Sequence, residues 1–185
     1  LVALSVTSYQ KQIDDMLSNV SKSPSTGYDT QYMNAASMEN NGLELDGSFL
    51  LMNQDDQSGN LFFNWTKNEN KVTVLAGTEV IFLGTGSVNS VAIVDHSLGA
   101  LYGTGSQTDD GTVDGNLVLD ANGFPQITSL PIVLGDPNPD WRGTLGLNAR
   151  WKNFNIDALF EHSEGGDYSP RTQWVLRRFG TTQKT

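Results

Sequence analysis

The stretch 138–167, NPDWRGTLGLNARWKNFNIDALFEHSEGGD, limits the folds open to this chain more than any other. In its first half Trp141, Gly143, Leu145, Leu147, Ala149 and Trp151 fall on one face, and Arg142, Thr144, Gly146, Asn148 and Arg150 on the other. A period of two is a strand, because successive side chains of an extended chain point to opposite faces. The second half repeats it: Phe154, Ile156, Ala158 and Phe160 oppose Asn155, Asp157 and Glu161, and Leu159 alone breaks the rule. Lys152 and Asn153 separate the halves, so the stretch predicts a two-residue hairpin.

The placement of the aromatic residues adds a length. From Trp141 to Trp151 a strand rises roughly 33 Å, and a tilt near 40° reduces this to a height of about 25 Å, which is the apolar band of an outer-membrane barrel. A tryptophan then stands at each rim, and Trp65, Trp141, Trp151 and Phe154 are expected to form a lipid-facing girdle. A soluble antiparallel sheet with one face in a core gives the same alternation. Two features favour the barrel. The polar face carries Arg142, Asn148, Arg150, Asp157 and Glu161, which suits a wet lumen, and the opposite face has no charge between the tryptophans.

Composition excludes several alternatives. Across 185 residues, 21 acidic against 11 basic side chains give a net charge of −10, which argues against a nucleic-acid partner or an anionic membrane surface. Mean hydropathy is −0.33 and no apolar run is long enough for a transmembrane helix, a test that strands facing lipid with every second residue escape. Cysteine is absent, which removes disulfide scaffolds and thiolate metal sites. Nineteen glycines point to strands and turns, and the fold class is all-β.

Residues 1–9, LVALSVTSY, read as a strand already under way at the first residue. The spacing of Ile13, Met16, Leu17 and Val20 fits a short helix, though an extended excursion into a loop is the preferred reading. Alternation returns from Asn41, with Leu43, Leu45, Gly47, Phe49 and Leu51 against Glu44, Asp46 and Ser48. After the polar turn NQDDQSG, Leu61, Phe63 and Trp65 share a face. This is a second hairpin, its aromatic residues expected near the turn end. Between residues 76 and 137 alternation fails and Gly, Asp, Asn and Thr dominate. The barrel reading makes this a long extracellular loop excursion stiffened by local hairpins, since extracellular connections are the long ones. Residues 1–185 are then a segment of one transmembrane β-barrel domain, a partial barrel of about five strands.

Candidate chemistry is sparse. Two GTGS tetrapeptides, 84–87 and 103–106, do not complete a dinucleotide fingerprint and read as turn glycines. Asp109, Asp110, Asp114, Asp120 and Asn122 crowd one loop, but the bidentate glutamate of a calcium loop is missing after Asp120-Ala121-Asn122-Gly123. His162 among Glu161, Glu164 and Asp167, and His96 beside Asp95, complete no hydrolytic motif. The chain is expected not to be an enzyme. No catalytic, cofactor-binding or metal-binding residue is assigned, and ligand-binding residues stay open.

The runs STGYDTQYMNAASMENNGLEL, WTKNENKV, GALYG, DANGFP, GDPNPDW, LFEHSEGGD and RFGTT, in that order, resemble SusC-like TonB-dependent outer-membrane transporters. Several motifs fall in family order across nearly the whole chain. The resemblance implies a barrel of about 22 strands with a plug in its lumen. It also implies residence in the outer membrane of a Gram-negative bacterium and import of oligosaccharides or peptides. The partners implied are TonB acting through the plug, a SusD-like surface lipoprotein and membrane lipid. The expected plug domain is absent from these residues, so the chain reads as part of the later barrel. The matched residues are structural: Gly42, Glu44, Asn138, Pro139, Trp141, Gly165 and Gly166. Two rivals remain at this point, a secreted carbohydrate-binding β-sandwich and a surface or adhesive β-protein without transport.

Overall fold

The computed structural model describes residues 1–181, so the final threonine of the RFGTT motif lies outside the described residues. The described residues divide into two units: residues 1–81, 92–98 and 138–166, and residues 82–91, 99–137 and 167–181.

The first unit is built on a five-stranded antiparallel sheet. Its strands are β1 (Val2–Ser21), β2 (Thr30–Gln54), β3 (Gln57–Leu75), β8 (Pro139–Trp151) and β9 (Phe154–Gly165), paired in the order β1-β2-β3-β8-β9. Both predicted hairpins form. Trp151 pairs with Phe154 across Lys152-Asn153, and Lys152 takes a φ of 53°, the left-handed value that a two-residue turn between twisted strands needs. Gln54 pairs with Gln57 across Asp55-Asp56. β1 and β2 join through a 3₁₀ turn, Pro24–Thr26, closed by Gly27 at φ 80°.

Residues 10–21 are neither helix nor loop. β1 runs unbroken through them, paired to β2, with a bulge between Ile13 and Met16 where Asp15 adopts φ 55°. The bulge explains the misleading spacing. Buried and half-buried positions of β1 are odd before it (Tyr9, Ile13) and even after it (Met16, Ser18, Val20), so one strand with a phase jump imitates a helical period. β2 likewise begins at Thr30, well before the visible alternation.

β1, β2 and β3 span 20, 25 and 19 residues, against 13 and 12 for β8 and β9. Beyond Thr66, β3 outruns its pairing with β8, and the freed edge is covered by the segment 92–98. There the Val72 amide donates to the His96 carbonyl at 2.9 Å, the Asp95 amide to the Val72 carbonyl at 2.9 Å, and the Leu98 amide to Asn70 Oδ1 at 2.7 Å. Lys71 pairs with Asp95 at 2.7 Å. The cover closes a small core of Val20, Ala35, Val72, Ile81 and Ala92, flanked by Met33, Leu75 and Leu98. The long strand ends are thus sealed on themselves, which removes an open row of backbone donors and acceptors.

A second antiparallel sheet orders β4 (Val80–Phe82), β5 (Val88–Ile93), β6 (Ala100–Gly103) and β7 (Ile132–Gly135) as β4-β5-β6-β7. Residues 104–131 carry only isolated bridges, Ser106 to Ile127, Thr108 to Leu117 and Leu119 to Pro125. After Gly166 comes one helix, α1 (Arg171–Arg178), with no side-chain bond capping its N-terminus.

Candidate functional site

In the five-stranded sheet, strand register decides which residues share a face. Across it Val6, Leu45, Trp65, Gly143 and His162 form one row, and Val2, Phe49, Leu61, Leu147 and Ala158 another. Toward the short turns Gln57, Trp151 and Phe154 close the same face. From the Trp151 row up to the Trp65 row this face contains no charged residue. Leu4, Val6, Phe154 and Phe160 are 67%, 70%, 70% and 71% exposed. Soluble monomers rarely leave a contiguous apolar surface of this kind uncovered.

Of the four residues expected to form a girdle, Trp65 and Trp141 meet at one end of the apolar face, with ring centroids 6.4 Å apart. His162 stacks beside Trp141 at 5.0 Å and bonds Glu164 at 3.0 Å. Lys67, two residues past Trp65, pairs with Glu69 at 2.7 Å. Trp151 and Phe154 pair at the other end of that face, beside the Lys152-Asn153 turn. The expectation that the second hairpin's aromatics lie near its turn fails for Trp65. Register carries it to the end of the sheet away from Asp55-Asp56, because β3 continues for nine residues after pairing with Trp151 at Gln57 before it reaches Thr66 opposite Arg142.

The opposite face is polar and cross-linked. Asn64 Nδ2 donates to Asp46 Oδ1 at 2.6 Å, Ser48 Oγ to Asn60 Oδ1 at 3.0 Å, Asn148 Nδ2 to Asp157 Oδ1 at 2.7 Å, and an Arg150 guanidinium nitrogen to the Asp55 carbonyl at 3.0 Å. The Tyr9 ring lies over Gly42 on the middle strand and its hydroxyl reaches Asn68 Oδ1 on the third at 3.0 Å. The Phe62 ring covers Gly146 and the Phe63 ring covers Gly47 on the other face. In each case a Cβ on the glycine would occupy the ring's place, so glycine opens the site and the aromatic residue fills it. These pairs were legible as a glycine opposite an aromatic residue only once the register was known.

Chain comparison places this two-faced sheet. The family model described as "TonB dependent receptor-like, beta-barrel" matches residues 1–183. The chain belongs to that family. TonB-dependent receptors are outer-membrane transport proteins of Gram-negative bacteria and not enzymes. Among curated receptors the chain is similar to TonB-dependent receptor P3 of Formosa agariphila, 24% identical over 89% of this chain and 19% of that protein. To TonB-dependent receptor P26 of the same organism it is 28% identical over 86% and 18%. It therefore spans about a fifth of the receptors it matches. Solved structures share the fold: the RagAB peptide transporter at TM-score 0.63, 24% identity, over 86% of this chain and 19% of that one, and RagAB in its closed-closed state at 0.65, 24%, over 88% and 19%. The five strands are thus an antiparallel part of a barrel, not closed on themselves, as the alternation predicted.

The candidate metal loop of this receptor segment is occupied by its own backbone. Asp120 Oδ1 accepts the Asn122 and Phe124 amides at 2.8 and 2.9 Å, and Asp110 Oδ1 accepts the Thr112 amide and hydroxyl, both at 2.9 Å. These bonds stabilise the ionised form and hold both carboxyls below their usual range. Among the described residues no cluster of metal-ligating side chains occurs.

Proposed function

We propose that this chain forms part of the wall of a TonB-dependent importer whose cargo is an oligosaccharide or peptide, working with a SusD-like surface lipoprotein and driven by TonB through a plug elsewhere in the protein. The observation that carries this reading is the sheet's division into an uncharged apolar face about one membrane thick and a hydrogen-bonded polar face. The apolar face meets lipid, with Trp65, Trp141, Trp151 and Phe154 as its girdle, and the polar face lines the lumen. The turns at Asp55-Asp56 and Lys152-Asn153 face the periplasm, and residues 76–137 lie outside the cell. RagAB, named as a peptide importer, supports peptide as one cargo class.

Function follows from passage and not from chemistry. A wall must be inert toward lipid, rigid under load and wettable inside. The side-chain bonds that tie β2 to β3 and β8 to β9 supply the rigidity, and the glycine and aromatic pairs let neighbouring strands approach closely. Deleting the full-length gene in its own host should abolish uptake of labelled oligosaccharide or oligopeptide, and a protonophore should mimic the deletion. Unchanged uptake of both classes in the deletion strain would refute the importer.

A further inference from the structure

We propose that the unit comprising residues 82–91, 99–137 and 167–181 carries a binding site for an acidic sugar, a ring bearing a carboxylate. The two GTGS tetrapeptides that read as mere turns are brought together here: Val88 pairs with Gly103, which sets Ser87 at the end of the first beside Thr104 of the second. With α1 they enclose a cavity of about 660 Å³ whose walls include Thr85, Ser87, Thr104, Arg171, Trp174 and Arg177. That volume is within the range of small-molecule sites, roughly 300–1,000 Å³.

Its chemistry is unlike the rest of the chain. On a protein of net charge −10, three of the 11 basic residues fall between Arg171 and Arg178, and among the described residues no carboxylate lines the cavity. Among the described residues the guanidiniums of Arg171 and Arg177 have neither an ion pair nor a hydrogen bond. Two uncompensated guanidinium forks on one wall match a planar carboxylate, which accepts two parallel N–H bonds. Arg178 lies over the Trp174 ring at 5.3 Å, and the indole, 54% exposed, still lines the cavity as a flat apolar platform for the C–H face of a sugar ring. The threonine and serine hydroxyls, each donor and acceptor, suit ring hydroxyls, whereas a peptide would call for apolar pockets at alternate positions. The site rests on the importer reading only in making this sugar the cargo.

The test is calorimetric titration of the purified full-length protein in detergent with trigalacturonate, neutral maltotriose and triglutamate. Trigalacturonate should bind at least about tenfold more tightly than either of the others, and its affinity should fall with added salt. The double variant Arg171→Gln with Arg177→Gln should lose at least about tenfold, since a hydrogen bond to a charged group contributes about that factor or more. Trp174→Ala should lose several-fold and Trp174→Phe little. Equal affinity for maltotriose overturns the proposal without recourse to any variant, as does tighter binding of triglutamate or an unchanged Kd in a double variant that melts like the parent. Because binding is read on purified protein, its absence strikes this site alone, whereas normal uptake in the deletion strain strikes the importer alone.

Discussion

Leu147 and Asn148 are consecutive, share one depth and face opposite ways, so a pair of arginine substitutions there separates lipid from lumen. Leu147 sits between Leu61 and Ala158 in the register. It stands about 13 Å along the strand from Trp151 and about 20 Å from Trp141, hence roughly 10 and 15 Å in height from the two rims. An arginine near the midplane costs about 2–4 kcal/mol when it faces hydrocarbon, so Leu147→Arg should shift the folding equilibrium of the full-length barrel by a factor on the order of 30 to 1,000. Asn148 faces Asp157 at 2.7 Å, on the face that also holds Arg142 and Arg150. Asn148→Arg keeps a partner there and should cost less than about 1 kcal/mol. Urea titration of the barrel in lipid vesicles reads both values from the midpoint at constant slope. Equal costs would refute the facing. A soluble sheet would also suffer from Leu147→Arg, so the second readout is quenching of Trp141 and Trp151 by lipids brominated at different depths. Quenching should be strongest from bromines near the headgroups, and no quenching at any depth would remove this strand from the membrane.

Three further outcomes follow from particular residues. Gly146→Val should displace the Phe62 ring and cost about 1–3 kcal/mol, and combining it with Phe62→Ala should recover part of that loss in a double-mutant cycle on the full-length barrel. The chain has no cysteine, so Asn153→Cys and Thr112→Cys can each be labelled singly: on intact cells a membrane-impermeant thiol reagent should modify position 112 and spare 153, and the reverse would invert the topology. The Asp120 carboxyl is held below its ordinary range by the Phe124 and Asn122 amides, so the loop's stabilisation is complete above the usual aspartate value near 4 and is lost as pH falls through the lower folded value. Hydrogen exchange of the 120–124 turn should match that of Asp120→Ala only at the acid end, and a match at neutral pH would show that the bonds contribute nothing.

What the sequence determined was the local pattern. Alternation from Trp141 to Trp151 and from Phe154 to Phe160 specified two strands, a two-residue turn and an apolar face, because a period of two is a property of the extended backbone and needs no partner. The motifs in family order likewise identified the barrel. The tertiary structure decided everything that depends on pairing. Whether Ile13, Met16 and Val20 mark a helix or a strand is settled by a bulge against β2, and Trp65 comes beside Trp141 only through the register of β3 with β8. Val72, Ile81 and Ala92 are not periodic neighbours, and they form a core because residues 92–98 bond to an edge that β8 leaves open. Tyr9, Gly42 and Asn68 lie on three strands, as do Phe49, Leu61 and Leu147. Such contacts are set by hydrogen-bond register between segments far apart in the chain, and slipping that register by one residue would turn every side chain to the other face.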